Sequence, residues 1–191
     1  MREIASRPAV QSVWQITVLA ALFPAFLFFS SCQAPSPPQK TPAAPRTKTV
    51  LGAPAPDITV SGQEGHLLKL SDLKGSVVLI NFWATWCSSC DMENPGLHRL
   101  YERLGKYPKF RLLSVLYGDS RQAADAYLRR RGYDWPVYTD PDGRAAAAYG
   151  LTGVPESYLV DKNGNLQGKA IGPENWGAPE VAAFIEKLLK Q

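Results

Sequence analysis

Ser76-Val77-Val78-Leu79-Ile80-Asn81-Phe82-Trp83 constrains the fold more than any other stretch of this chain. It is short and nearly unbroken in its apolar character, which suits a strand buried on both faces rather than one with a wet side. From about Cys87 the spacing turns helical, with Leu97, Leu100, Tyr101 and Leu104 at i, i+3, i+4 and i+7. Pro95 falls inside that helix and predicts a kink. A buried strand handed directly to a helix is half of an α/β layer arrangement.

The rest of the C-terminal part continues the alternation. A strand is expected over Arg111–Tyr117, then a helix opened by Ser120 as N-cap with Ala124, Tyr127 and Leu128 facing inward. Val137-Tyr138 reads as a short strand and Arg144–Tyr149 as a brief Ala-rich helix. Glu156–Asp161 and Leu166–Ile171 read as a hairpin around the turn signal Lys162-Asn163-Gly164-Asn165. The last helix begins near Pro179, with Val181, Phe184, Ile185, Leu188 and Leu189 as its apolar stripe. Ile58–Val60 and Leu67–Lys69 suggest a leading hairpin. Together these give an α/β fold, a central mixed β-sheet flanked by helices, with an N-terminal β-hairpin extension.

The N-terminal part is a different kind of sequence. No charged residue occurs between Arg7 and Lys40, and Val13–Phe29 is almost continuously apolar. A basic flank (Arg2, Arg7) before such a run is the layout of an export signal. It ends in Phe29-Ser30-Ser31-Cys32, which resembles a bacterial lipobox and makes Cys32 the candidate lipidation site. The competing expectation is an uncleaved signal anchor, because Val10–Phe29 is long enough to span a bilayer. Either way the remainder lies on the periplasmic side of a bacterial membrane. Gln33–Thr49, with five prolines, tends to extended polyproline II and reaches on the order of 50 Å at ~3.1 Å per residue. The expected organisation is therefore a signal over 1–31, a Pro-rich linker over 32–50 and one folded domain over 51–191.

Charge excludes more than it suggests. With 21 Lys+Arg against 17 Asp+Glu the net charge of the 191 residues is only +4, too little to argue for nucleic acid. Arg129-Arg130-Arg131, the one dense basic run, reads as a solvated helix face. Three cysteines cannot build a disulfide scaffold in a chain of this length, and an odd count leaves at least one without an internal partner.

Cys87-Ser88-Ser89-Cys90 carries the chemistry. A bond across so short a loop restrains little of the unfolded chain and is a poor structural staple. At the start of a helix, however, free N–H groups and the dipole favour a thiolate, the attacking species in disulfide exchange. Structural zinc would need four ligands, and the other candidates are only Cys32, His66 and His98. Asp161, Asn163 and Asn165 resemble a calcium loop in part, but Leu166 and Gly172 stand where its glycine and last acidic ligand belong. No metal and no cofactor beyond the dithiol is expected.

Val78 through Cys90 resembles the active-site strand and turn of the thioredoxin superfamily, and more specifically the membrane-tethered TlpA/ResA-type thiol-disulfide oxidoreductases. The resemblance covers roughly Gly52–Leu189 and implies a thioredoxin-like fold. It also implies that Gly153-Val154-Pro155-Glu156-Ser157-Tyr158 is a loop carrying a cis-proline beside the dithiol. Pro155 would bar metal from the cysteines, and the Val154 backbone would pair with a substrate peptide. Glu93 matches a family glutamate that would accept the Cys90 proton through water. Thioredoxins proper carry a buried aspartate where Asn81 stands, and an amide cannot take that proton, which places the weight on Glu93. Trp86 is a candidate for the substrate surface, with rim packing as its plainer use.

Two classes of function follow. One is an exported thiol-disulfide oxidoreductase in which Cys87 attacks and Cys90 resolves. By resemblance it would reduce apocytochrome c or oxidase subunits and be recharged by a membrane thiol transporter. The other is a copper-delivery module on the same fold, although such chaperones resemble CxxxC with a distant histidine. A peroxidase would need Thr at position 84, where this chain has Ala84.

Overall fold

The computed structural model describes residues 49–191. The export segment, Cys32 and the spacer up to residue 48 lie outside the described residues. In chain order the elements are β1 (Thr59–Ser61), β2 (Leu67–Lys69), β3 (Val77–Trp83), α1 (Ser88–Leu104), β4 (Phe110–Leu116) and α2 (Arg121–Arg131). They continue with β5 (Val137–Thr139), α3 (Arg144–Tyr149), β6 (Glu156–Val160), β7 (Leu166–Ile171) and α4 (Pro179–Lys190). All seven strands join one sheet in the order β2-β1-β5-β4-β3-β6-β7. β3, β4 and β5 run parallel, while β6 pairs antiparallel with β3 and β7 with β6. The leading hairpin β1–β2 extends the sheet beyond β5.

β3 is buried along its whole length, and its alternating side chains feed two cores. Val77, Leu79 and Trp83 join Leu97 and Leu100 of α1, Tyr127 and Leu128 of α2, and Ile185 and Leu188 of α4. Val78, Ile80 and Phe82 join Ile58, Val60, Ala145, Tyr149 and Tyr158 on the α3 side. This double burial is why the sequence of β3 shows no polar alternation. Asn81 is the exception. It lies in register with Ser114 of β4 and Ser157 of β6, forming a polar row across the three central strands.

Element boundaries depart from expectation by about a residue, each for a local reason. Helix α1 begins at Ser88 because Cys87 is its N-cap, and it continues through Pro95 as one element. Ser120 caps α2 as expected, its Oγ accepting from the Ala123 N–H at 3.1 Å. β6 stops at Val160 because Asp161 turns the chain, its Oδ1 accepting from the N–H groups of Asn163 and Asn165 at 2.9 Å each. On α4 the buried stripe is narrower than expected: Ala182, Ile185 and Leu188 are buried, whereas Phe184 is exposed. Gly96 of α1 lets the 172–177 loop approach closely, since a Cβ there would lie 3.1 Å from the Gly177 nitrogen. No helix among the described residues is long and apolar enough to cross a membrane.

Candidate active site

The C-terminal end of β3 delivers Ala84–Cys87 to the start of α1, and two neighbouring loops fix that segment. Asp119, just after β4, accepts at Oδ2 from both the N–H and the hydroxyl of Thr85 at 2.7 Å. Trp86 donates its indole N–H to the Gly118 carbonyl at 3.2 Å while 61% of its surface stays exposed. Trp83, by contrast, is wholly buried. The two tryptophans are thereby separated into core and rim.

Cys87 and Cys90 are joined as a disulfide with their Cα atoms 5.3 Å apart. The sulfurs are not equivalent. Cys87 retains 7% exposure and Cys90 none. Cys87 Sγ also accepts from the Cys90 N–H at 3.1 Å, so it occupies the acceptor position that opens α1. Helix dipole and N–H group both favour negative charge at that sulfur.

The Val154–Pro155 peptide bond is cis, as the resemblance implied. The Val154 carbonyl oxygen lies 3.5 Å from Cys87 Sγ, and Pro155 itself is buried. The loop is held from below by Glu156, a wholly buried carboxylate. Its Oε1 lies 3.2 Å from Lys169 Nζ on β7, and its Oε2 accepts from the Thr152 N–H at 3.3 Å.

Glu93 is 3% exposed, more deeply buried than a surface position on a helix start would be. Its Oε1 accepts from Asn81 Nδ2 at 2.9 Å. Its Oε2 accepts from the Glu174 N–H at 2.9 Å and the Trp176 indole N–H at 3.1 Å. Burial pushes this carboxyl above its ordinary value; the three donors pull the other way, and the Glu174 charge adds to the rise. Asp91, in the first turn of α1, is lowered instead, chiefly by the Tyr127 hydroxyl that donates to it at 2.6 Å and also by Arg131.

The structure thus brings Cys87, Cys90, Trp86, Val154 and Pro155 together where β3 hands over to α1, with Glu93 buried further along the helix. Sequence spacing did not reveal Asp119, Trp176, the Glu174 backbone or the Glu156–Lys169 pair, because no local periodicity links partners that lie on different elements. Asn81 carried a readable signal, one amide in an otherwise apolar strand. Among the described residues no three His, Cys, Asp or Glu side chains are grouped to hold a metal ion.

Comparison with known proteins agrees with this geometry. The AhpC/TSA family matches residues 51–169. A thiol-disulfide oxidoreductase ResA of Bacillus thuringiensis is 31% identical over 145 residues, covering 76% of this chain and 82% of that protein. The ResA of Geobacillus kaustophilus is 32% identical over 122 residues, covering 64% and 70%. Among solved structures, a Chlorobium tepidum protein described as a thiol:disulfide interchange protein DsbE superposes with a TM-score of 0.61 at 29% identity, covering 75% of this chain and 97% of that one. With a CxxC pair at bonding distance in a thioredoxin-like sheet, the chain belongs to the AhpC/TSA family and, within the thioredoxin-like proteins, to the ResA-type thiol-disulfide oxidoreductases.

Proposed function

We propose that this enzyme is an exported, membrane-tethered reductant of disulfides in other exported proteins, with Cys87 as nucleophile and Cys90 as resolving thiol. The observation that carries the assignment is the inequality of the two sulfurs: Cys87 is reachable and placed at the helix start, while Cys90 is sealed. Cys87 thiolate attacks a partner disulfide, forming a mixed disulfide and releasing one partner thiolate. Cys90 gives its proton through water to Glu93 and attacks Cys87 Sγ, which releases the second partner thiolate and leaves the Cys87–Cys90 disulfide. Two electrons pass to the partner, and a membrane thiol transporter returns them. No cofactor beyond the dithiol enters this cycle.

Val154 offers its backbone to the partner's extended segment, Pro155 keeps metal from the thiols, and Trp86 borders the docking surface. The partners we assign are apocytochrome c or oxidase subunits awaiting their copper centre. The tether is lipid on Cys32 or, alternatively, the uncleaved anchor, and it keeps the domain on the periplasmic side of the membrane.

The test is a trap. Cys90→Ser, expressed in the native host, should accumulate partners disulfide-linked to Cys87, and mass spectrometry of the adducts identifies them. Absence of any mixed disulfide would overturn the assignment. Captured proteins unrelated to cytochromes or oxidases would overturn the choice of partner only.

A further inference from the structure

The two oxygens of Glu93 are served unequally. Oε2 accepts from the Glu174 N–H and the Trp176 indole N–H, groups that can only donate, and together they occupy both of its lone pairs. Oε1 has a single donor, Asn81 Nδ2. That same Nδ2 donates to Ser157 Oγ at 2.9 Å. Asn81 is completely buried, yet its Oδ1 has no partner at all. On the other side of the row, the Oγ of Ser114, paired with Asn81 across β3 and β4, is likewise buried and without a partner. An amide held in this way leaves an acceptor idle in the core, which native structures rarely tolerate without reason.

We propose that Oε1 is the atom of Glu93 that carries the proton, and that Asn81 turns its amide over when the proton arrives. Oδ1 then accepts from Oε1–H and from the Ser157 hydroxyl, which rotates to donate, while Nδ2 swings to the side of Ser114 Oγ. Asparagine serves both states of the glutamate with one rotation, as donor to the carboxylate and acceptor from the acid. An aspartate at position 81 could not donate to the ionised form.

This rests on the reading of Glu93 as the acceptor for Cys90. In that step the proton leaves Cys90 Sγ and bonds to Glu93 Oε1, Cys90 becomes a thiolate and Glu93 becomes neutral; no electron moves. Glu93 is met by Asn81 from the sheet and by Glu174 and Trp176 from the loop after β7; Ser157 stands behind Asn81, and Cys90 lies three residues earlier on the same helix. A cleft of about 330 Å³ lined by Met92, Pro95, Arg99 and Asn175 also reaches Glu93. The Glu174 carboxylate favours proton uptake.

The experiment is an NMR titration of the full chain in detergent, oxidised and labelled with ¹³C and ¹⁵N, following Glu93 Cδ and the Asn81 side-chain amide. Asn81 Nδ2 and its two protons should shift in one transition whose midpoint equals that of Glu93. In Glu93→Gln the new amide must place its oxygen at the two fixed donors and its NH₂ towards Asn81. The Asn81 signals should then stay at their low-pH position at every pH. Asn81 signals that do not move through the Glu93 midpoint, or that take the high-pH position in Glu93→Gln, overturn the proposal. Cys90 does not titrate in the oxidised protein, so the two readings separate. If Asn81 follows Glu93 but Glu93→Gln leaves the pH profile of mixed-disulfide resolution unchanged, the amide switch stands and the Cys90 proton reading fails.

Discussion

Trp176→Phe isolates one of the three donors to Glu93 while keeping an aromatic ring in the core. Trp176 is almost fully buried and donates to Oε2 at 3.1 Å. Losing part of the indole costs roughly 1–3 kcal/mol of packing at any pH. The lost hydrogen bond depends on pH. It is worth about 1.5–3 kcal/mol to a carboxylate and about 0.5–1.5 kcal/mol to a neutral acid, so ionising Glu93 becomes about 1 kcal/mol harder in the variant. At about 1.4 kcal/mol per unit, the Glu93 midpoint rises by somewhat under one unit. The sign follows from linkage. Glu93 is held above its ordinary 4.5, so the folded chain keeps this proton longer than the unfolded chain. Stability owed to this group is therefore greatest below 4.5, falls as pH rises through the folded midpoint and is level above it. Urea unfolding of oxidised wild type and variant, at about pH 4 and about pH 8, should show a deficit about 1 kcal/mol larger at the higher pH. Other carboxyls titrate alike in both proteins and cancel. Equal deficits at the two pH values would refute the reasoning, because they would mean that the indole only fills space.

Two further outcomes test neighbouring contacts. Asp119→Ala strips the Thr85 N–H and hydroxyl of their acceptor and should cost about 1–3 kcal/mol. Exchange with a small disulfide should slow on the order of tenfold as the loop before Cys87 loosens; Asp119→Asn should restore most of both, and a wild-type rate in the alanine variant would contradict this account. Arg131→Ala removes one of the groups that hold Asp91 below its ordinary 3.8. A lowered carboxylate contributes stability above that value and loses it as pH falls through the folded midpoint, so acid-unfolding curves of variant and wild type should separate above 3.8 and converge below it. Parallel curves would show that the pair contributes nothing.

The order of elements was legible in the sequence because each carries a local signal: the double-buried run of β3, the Ser120 cap, the turn at Lys162–Asn165, the proline that opens α4. The dithiol and the proline opposite it were legible through motif and resemblance. What the sequence hid is long-range. Glu93 meets Trp176 and Glu174 across more than eighty positions, and Asn81 meets Ser157 across 76. No periodicity encodes such meetings; only the crossover that lays β6 beside β3 creates them. Phe184 failed for a related reason. Its helical phase places it near the stripe, but α4 rests on the sheet along Ala182, Ile185 and Leu188, leaving the ring outside.

The sulfur that opens α1 is also the one proposed to react, and this would tie folding to electron transfer through a thermodynamic cycle. A thiolate at Cys87 accepts the Cys90 N–H more strongly than a disulfide sulfur can. Whatever extra folding free energy the reduced chain gains over the oxidised chain must reappear as a shift of its potential away from that of an unfolded CxxC peptide. The exchange rate is about 30 mV for every ~1.4 kcal/mol. Ser88 and Ser89, the first two residues of α1, would therefore act on the potential through helix initiation. Substituting them changes how firmly the chain holds its electrons by changing how well a helix begins.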